Sequence, residues 1–135
     1  MRHRTIRITA LAAGASAVAL AFTLSAADAT RTVRIESHIS IKAKELHFRG
    51  RVTSSNAGCK SGRTVVLYRK FSDGTRQRLG TDTTGAKGVW KINVSGSAGI
   101  SMGRFVAKVK TRREGTAGTI FVCKGAHSRT ISFQH

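Results

Sequence analysis

Arg104, Lys108, Lys110 and Arg112 recur on one parity of a single run, GRFVAKVKTR, and Arg113 continues it. Alternate residues of an extended chain share a face, about 7 Å apart per two-residue step, so these cations form a ladder if the run is a strand. His47, Arg49 and Arg51 make a second ladder. Lys60 and Arg63 lie by the glycine-rich turn Gly58-Cys59-Lys60-Ser61-Gly62, where charge and main-chain N–H groups can together hold an anion. Arg49, Arg51, Lys60, Arg63, Arg104, Lys108, Lys110, Arg112 and Arg113 are therefore the anion-binding candidates. If the two ladders lie on neighbouring strands, their outer face is a positive plate that attracts polyanions. The alternative is a solvated face that keeps the protein soluble, with Lys60 and Arg63 solvated on a loop set by the cysteines.

Residues for catalysis are harder to find. The chain has 6 acidic residues, namely Asp28, Glu36, Glu45, Asp73, Asp82 and Glu114. Asp73 and Asp82 fall in turn-like segments, where Asp bonds its own backbone. No two acids share a strand face near a histidine, so paired acid–base work has no support. No G-x-S-x-G elbow occurs. The turn at Gly58 lacks the Gly-Lys dipeptide of a phosphate loop and the helix that should follow. Cys123 and His127 have a C-x-x-x-H spacing, but no CxxC or HxxxH pair completes a metal site. His38, His47, His127 and His135 read as surface residues. No catalytic residue, metal or cofactor is expected.

A length of 135 residues suits one domain. With 24 Lys+Arg, the formal net charge is +18. The chain opens on basic Met1 to Arg7, followed by an uncharged Ala-rich run from Ile8 to Leu24 and the small residues Ser25-Ala26-Ala27. That order is a secretory signal peptide, residues 1–27, cleaved after Ala27 or Ala29. A retained anchor is the competing reading. It is disfavoured because Ala, Gly, Ser and Thr insert weakly. Its Ala-rich character suits a bacterial signal. Removing it takes away Arg2, Arg4 and Arg7 and no acid, which leaves 21 basic and 6 acidic residues, net +15. The charge belongs to the domain itself. A secreted or cell-envelope location is expected, with no transmembrane segment after cleavage. In that compartment Cys59 and Cys123 most simply pair as a disulfide. Closing so long a loop is worth roughly 4 kcal/mol.

Proline is absent, glycine numbers 14, and alternation dominates over helical periods. Short apolar-polar runs separated by turn residues predict an all-β fold, a single antiparallel β-sandwich of seven or eight strands. Residues 28–45 read as a leader or first edge strand and residues 46–135 as the sandwich. Thr75 to Thr81, weakly apolar and charged, is a second candidate edge. The expected core is Leu46, Phe48, Val52, Val65, Leu67, Trp90, Ile92, Phe105, Val109, Phe121 and Ile131.

From Leu46 to Arg112 the pattern resembles transthyretin-like, carboxypeptidase-regulatory-like modules of immunoglobulin type. Gly50 and Val52 match their first strand, Val65 and Leu67 the next. Thr81-Asp82-Thr83-Thr84-Gly85 and Gly88-Val89-Trp90 follow, then Gly103, Phe105, Ala107 and Val109. The two cysteines resemble those of small secreted bacterial versions, where one disulfide ties the first long loop to a late strand. The resemblance implies a binding, adhesion or stabilising module rather than an enzyme.

The expected function is therefore non-catalytic binding of an anionic wall polymer or anionic lipid by a monomer. Nucleic acid is less favoured. Single-strand binders show exposed aromatics for stacking, and only Tyr68 and Phe71 are good candidates for exposure. A small secreted basic effector or hydrolase with an inconspicuous site is the alternative. A third reading is a subunit or inhibitor that pairs through an edge strand.

Overall fold

Alternation sets the strands in the computed structural model, which describes residues 30–94 and 103–133. The signal segment and both cleavage positions lie outside the described residues. The first six strands are β1 (Arg31–Ile35), β2 (Ser37–Ile39), β3 (Lys42–Lys44), β4 (His47–Ser54), β5 (Thr64–Lys70) and β6 (Arg76–Thr83). Then come β7 (Val89–Asn93), β8 (Gly103–Val109), β9 (Arg112–Thr116), β10 (Thr119–Cys123), β11 (Ala126–His127) and β12 (Ile131–Phe133). One 3-10 turn, Ala57–Cys59, precedes β5. The fold is all-β, as the alternation predicts. The described residues form twelve strand segments rather than seven or eight, because several long runs break where they pass between sheets.

Two sheets make the sandwich. In one, β2 and β3 pair in succession along β4, and β7 pairs with β4 as well. In the other, the order is β11-β8-β5-β6, with β12 also on β8. Their inward residues alternate along each strand and form one core. It contains Ile39, Ile41, Phe48, Val52, Val65, Leu67, Trp90, Ile92, Val94, Phe105, Ala107 and Val109. Phe48 and Phe105 meet across it, with ring centroids 4.9 Å apart. Leu46 and Ile131 are partly buried against it. β6 and β7 close one side without main-chain pairing. There the Asp82 carboxylate accepts hydrogen bonds from the Thr83 and Lys91 N–H groups and ties the two sheets. Asp82 is thus a seam residue rather than only a turn residue.

The third sheet, β1-β10-β9, carries the one parallel pairing among the described strands, β1 with β10. β1 leads into β2 through Glu36, β8 into β9 through Lys110 and Thr111, and β10 into β11 through Lys124 and Gly125. The third sheet is thus an outgrowth of the sandwich strands. Within residues 28–45, read as a leader or first edge strand, β1, β2 and β3 are strands built into the fold. Ile35, Ile39 and Ile41 are buried there.

Phe121 departs from the expected core. It is 36 % exposed. It shares a strand face with Cys123, but it lies further along β10, beyond the small cluster of Ile35, Cys59 and Cys123. No second sheet among the described residues covers it there.

Gly50 marks where the sandwich is tightest. A Cβ on it would stand 1.9 Å from the Ser40 carbonyl oxygen and 2.8 Å from Trp90 Nε1. Both neighbours are fixed, one by main chain and one by full burial. Gly85 has open space around it. G50A is therefore expected to destabilise by about 2–3 kcal/mol or more, and G85A by less than about 0.5 kcal/mol. Urea unfolding midpoints of the two variants check this, and equal midpoints would refute it.

Candidate anion-binding surface

The two cationic ladders do not lie on neighbouring strands. His47, Arg49 and Arg51 belong to β4, in the first sandwich sheet. Arg104 and Lys108 belong to β8, in the second. Each ladder points outward, because its alternate residues fill the shared core. The expected single plate is therefore two plates on opposite outer faces.

On the first face, register adds cations from the neighbouring strands. Lys42 of β3 and Lys91 of β7 both stand opposite Arg49. Strand spacing is about 4.8 Å, so Lys42, Arg49 and Lys91 form a row across the sheet that crosses the β4 ladder. A shallow groove of about 380 Å³ runs here, lined by Ser40, Lys42, Arg49, Gly50, Arg51 and Val89. A second groove, about 350 Å³, continues past Arg51 to Lys60 and Lys87. Lys60 is thus joined to this face through Arg51. Glu45 sits at the other end, beside Lys44 and His47.

The second face belongs to β6, β5 and β8. Lys70 stands between Arg76 and Arg104, and half-buried Tyr68 stands between Arg78 and Val106. Val66 and Val106 are buried on this outward side. His127 of β11 lies opposite Lys108. Partial burial, and then Arg76, Lys108 and Lys70, hold its pKa below the ordinary imidazole value. Four basic side chains therefore converge here within electrostatic reach. Phe71, the other aromatic expected to be exposed, is capped by Arg69, whose guanidinium carbon lies 5.2 Å from the ring centroid.

The acids leave these faces largely unopposed. Glu36 pairs with Lys124, and Glu114 with Arg112. Asp73 is taken up by Thr75, and Asp82 by main-chain N–H groups. Among the described residues, no ion pair involves a cation of either face.

The ladder expected from Arg104 to Arg113 breaks at Val109, where β8 ends. Lys110 is exposed at the bend. Arg112 folds back onto the 3-10 turn, donating to the carbonyls of Ser61 and Gly58. Arg113 is exposed on the third sheet, away from both faces.

Arg63 is fully buried, so it is not the surface anion ligand expected. Its guanidinium donates to Ser37 Oγ at 2.9 Å and to the carbonyls of Cys59, Lys110, Cys123 and Lys124 at 2.6–3.3 Å. All five acceptors are neutral. Its main chain is held as well, through reciprocal bonds with Thr84. Burial, and secondarily the nearby Arg112 charge, pull its pKa below the usual arginine value. The sequence carried a hint, since Arg63 shares parity with Val65 and Leu67.

Cys59 and Cys123 form the expected disulfide, with Cα atoms 5.4 Å apart. Both sulfurs are thereby used, which removes Cys123 as a partner for His127 in metal binding. No helix among the described residues is long and apolar enough to cross a membrane.

Two measurements probe this arrangement. R63M strips the donors from four carbonyls, of which those of Cys59 and Cys123 are buried. An unsatisfied buried acceptor costs about 1–3 kcal/mol, so a loss of at least about 2 kcal/mol is expected in urea unfolding of the oxidised protein. A loss below about 1 kcal/mol would show that the junction does not depend on the guanidinium. Separately, NMR titration should place His127 below ordinary imidazoles, and the K70Q/R76Q/K108Q variant should move its pKa upward. An unmoved pKa would mean that the cations do not converge there.

Comparison with protein-family models, curated proteins and solved structures finds no match for the chain.

Proposed function

We propose that this protein is a secreted, non-catalytic β-sandwich module that binds an anionic polymer of the cell envelope or its surroundings. The single observation that carries the reading is the row Lys42, Arg49 and Lys91, crossed by the Arg49–Arg51 ladder over a shallow groove. A row of cations without paired carboxylates attracts polyanions by charge and counter-ion release. The grooves that continue the row on either side suit an extended chain better than a compact substrate. Phosphodiester polymers fit this chemistry, because Arg can meet each phosphate with two parallel N–H groups.

The basic signal-like N-terminus and the disulfide support an exported location. On this reading the module is of the transthyretin-like type that its Leu46 to Arg112 pattern resembles. Its charge also exceeds solubility needs, which in a small domain are met by a net magnitude of about 2–8.

Retention on immobilised polyglycerol phosphate tests the proposal. Affinity should fall by about a hundredfold or more between about 50 and 200 mM salt, as expected when several phosphates are neutralised. K42Q/R49Q/K91Q should elute at clearly lower salt than the parent, whereas R113Q, off both faces, should elute with it. Salt-independent retention, or none at low salt, overturns the reading.

A further inference from the structure

The two cationic faces lie back to back. The side chains that alternate with Arg49 and Lys91, such as Phe48, Trp90 and Ile92, are buried in the core. Those alternating with Lys70, Arg104 and Lys108, namely Leu67, Phe105, Ala107 and Val109, are buried in the same core from the other side. Each row of cations must therefore point away from the other. Packed sheets lie about 10 Å apart, so one polymer chain on the first face cannot also lie along the second without wrapping the domain edge.

We propose that the protein is bivalent and bridges two separate anionic polymer chains, one on each outer face of the sandwich. This rests on the reading of the first face given above and extends it to the second. The second face has its own recognition elements. Lys70, Arg76 and Arg104 stand in register across β6, β5 and β8, and Lys108 and His127 continue the charge across β8 and β11. Half-buried Tyr68 lies next to this row. The ion pairs Glu36–Lys124 and Glu114–Arg112 leave all of these cations free of carboxylates among the described residues.

A two-layer capture experiment separates bivalency from simple affinity. The parent protein is bound at low salt to surface-immobilised polyglycerol phosphate. Excess protein is washed away, and a short fluorescent polyglycerol phosphate is added. The parent should retain the second chain. K42Q/R49Q/K91Q and K70Q/R76Q/K108Q, each loaded to the same surface density as the parent, should each retain about tenfold less of it per bound protein, as when one of two linked sites is lost. Circular dichroism of both variants should match the parent, since none of the six positions is buried.

Several outcomes would overturn the proposal. The parent could bind the first chain yet capture no second one. Both variants could capture as much as the parent. Loss in only one variant would mean that a dimer presents one face twice. If the parent fails to bind the immobilised chain at all, the reading of the first face falls, and this inference falls with it.

Discussion

One buried guanidinium reaches each crossing between the sandwich and the third sheet among the described residues. The three crossings into the third sheet lie at Glu36, at Lys110–Thr111 and at Lys124–Gly125. Arg63 donates to Ser37 at the first, to the Lys110 carbonyl at the second, and to the Cys123 and Lys124 carbonyls at the third. A strand that changes sheets stops its ladder, and its carbonyls at that point lose their partners. A planar fork of donors can serve several such carbonyls at once, which a lysine ammonium cannot do with the same geometry. Burying the charge costs several kcal/mol, and charge-assisted bonds to oriented carbonyls offset that cost. The disulfide closes the same place covalently, because the carbonyls of Cys59 and Cys123 are among the Arg63 acceptors. Guanidinium and disulfide act on one junction, so their contributions to stability should not be additive.

That junction also explains where sequence reading succeeded and where it stopped. Alternation located the strands, because a half-buried strand must place apolar residues at every second position. Phe48, Val52, Val65, Leu67, Trp90 and Phe105 are buried for that reason. The same rule put Arg63 on the inward side with Val65 and Leu67. Yet an arginine beside a glycine-rich turn looks like a surface ligand until its acceptors are known. Those acceptors come from residues 26 to 61 positions away along the chain for all but Cys59, and no local pattern encodes them. Phe121 fails for the converse reason. Its strand alternates well enough, but burial depends on a second layer that stops short of it.

Pairing of the cationic ladders was equally beyond the local pattern. A ladder records which side of its own strand a residue occupies, and strand order decides which ladders share a sheet. Here β4 joins β2, β3 and β7, while β8 joins β5, β11 and β12. Lys42 and Lys91 became part of the first row only through register with Arg49. Lys70 and Arg76 joined the second in the same way. None of the four stood out in the sequence, because strand register, not spacing along the chain, brings them beside the two ladders.

The scarcity of acids then acquires a structural meaning. Glu36 and Glu114 pair with Lys124 and Arg112, at the margins of the third sheet. Asp82 closes the β6–β7 seam and Asp73 holds its turn. Carboxylates are placed where the fold needs an acceptor or a counter-ion, and Glu45 alone among those described lies at the end of a cationic face. Meanwhile Arg63 and Arg112 turn their charges onto carbonyls. Net charge is therefore a poor guide to binding surface in this chain. What matters is that the cations of the two sandwich faces, which make no ion pair among the described residues, are those that alternation directs outward, on both sides of a single thin core. A two-layer sandwich whose inward positions are apolar cannot bring those two sets together.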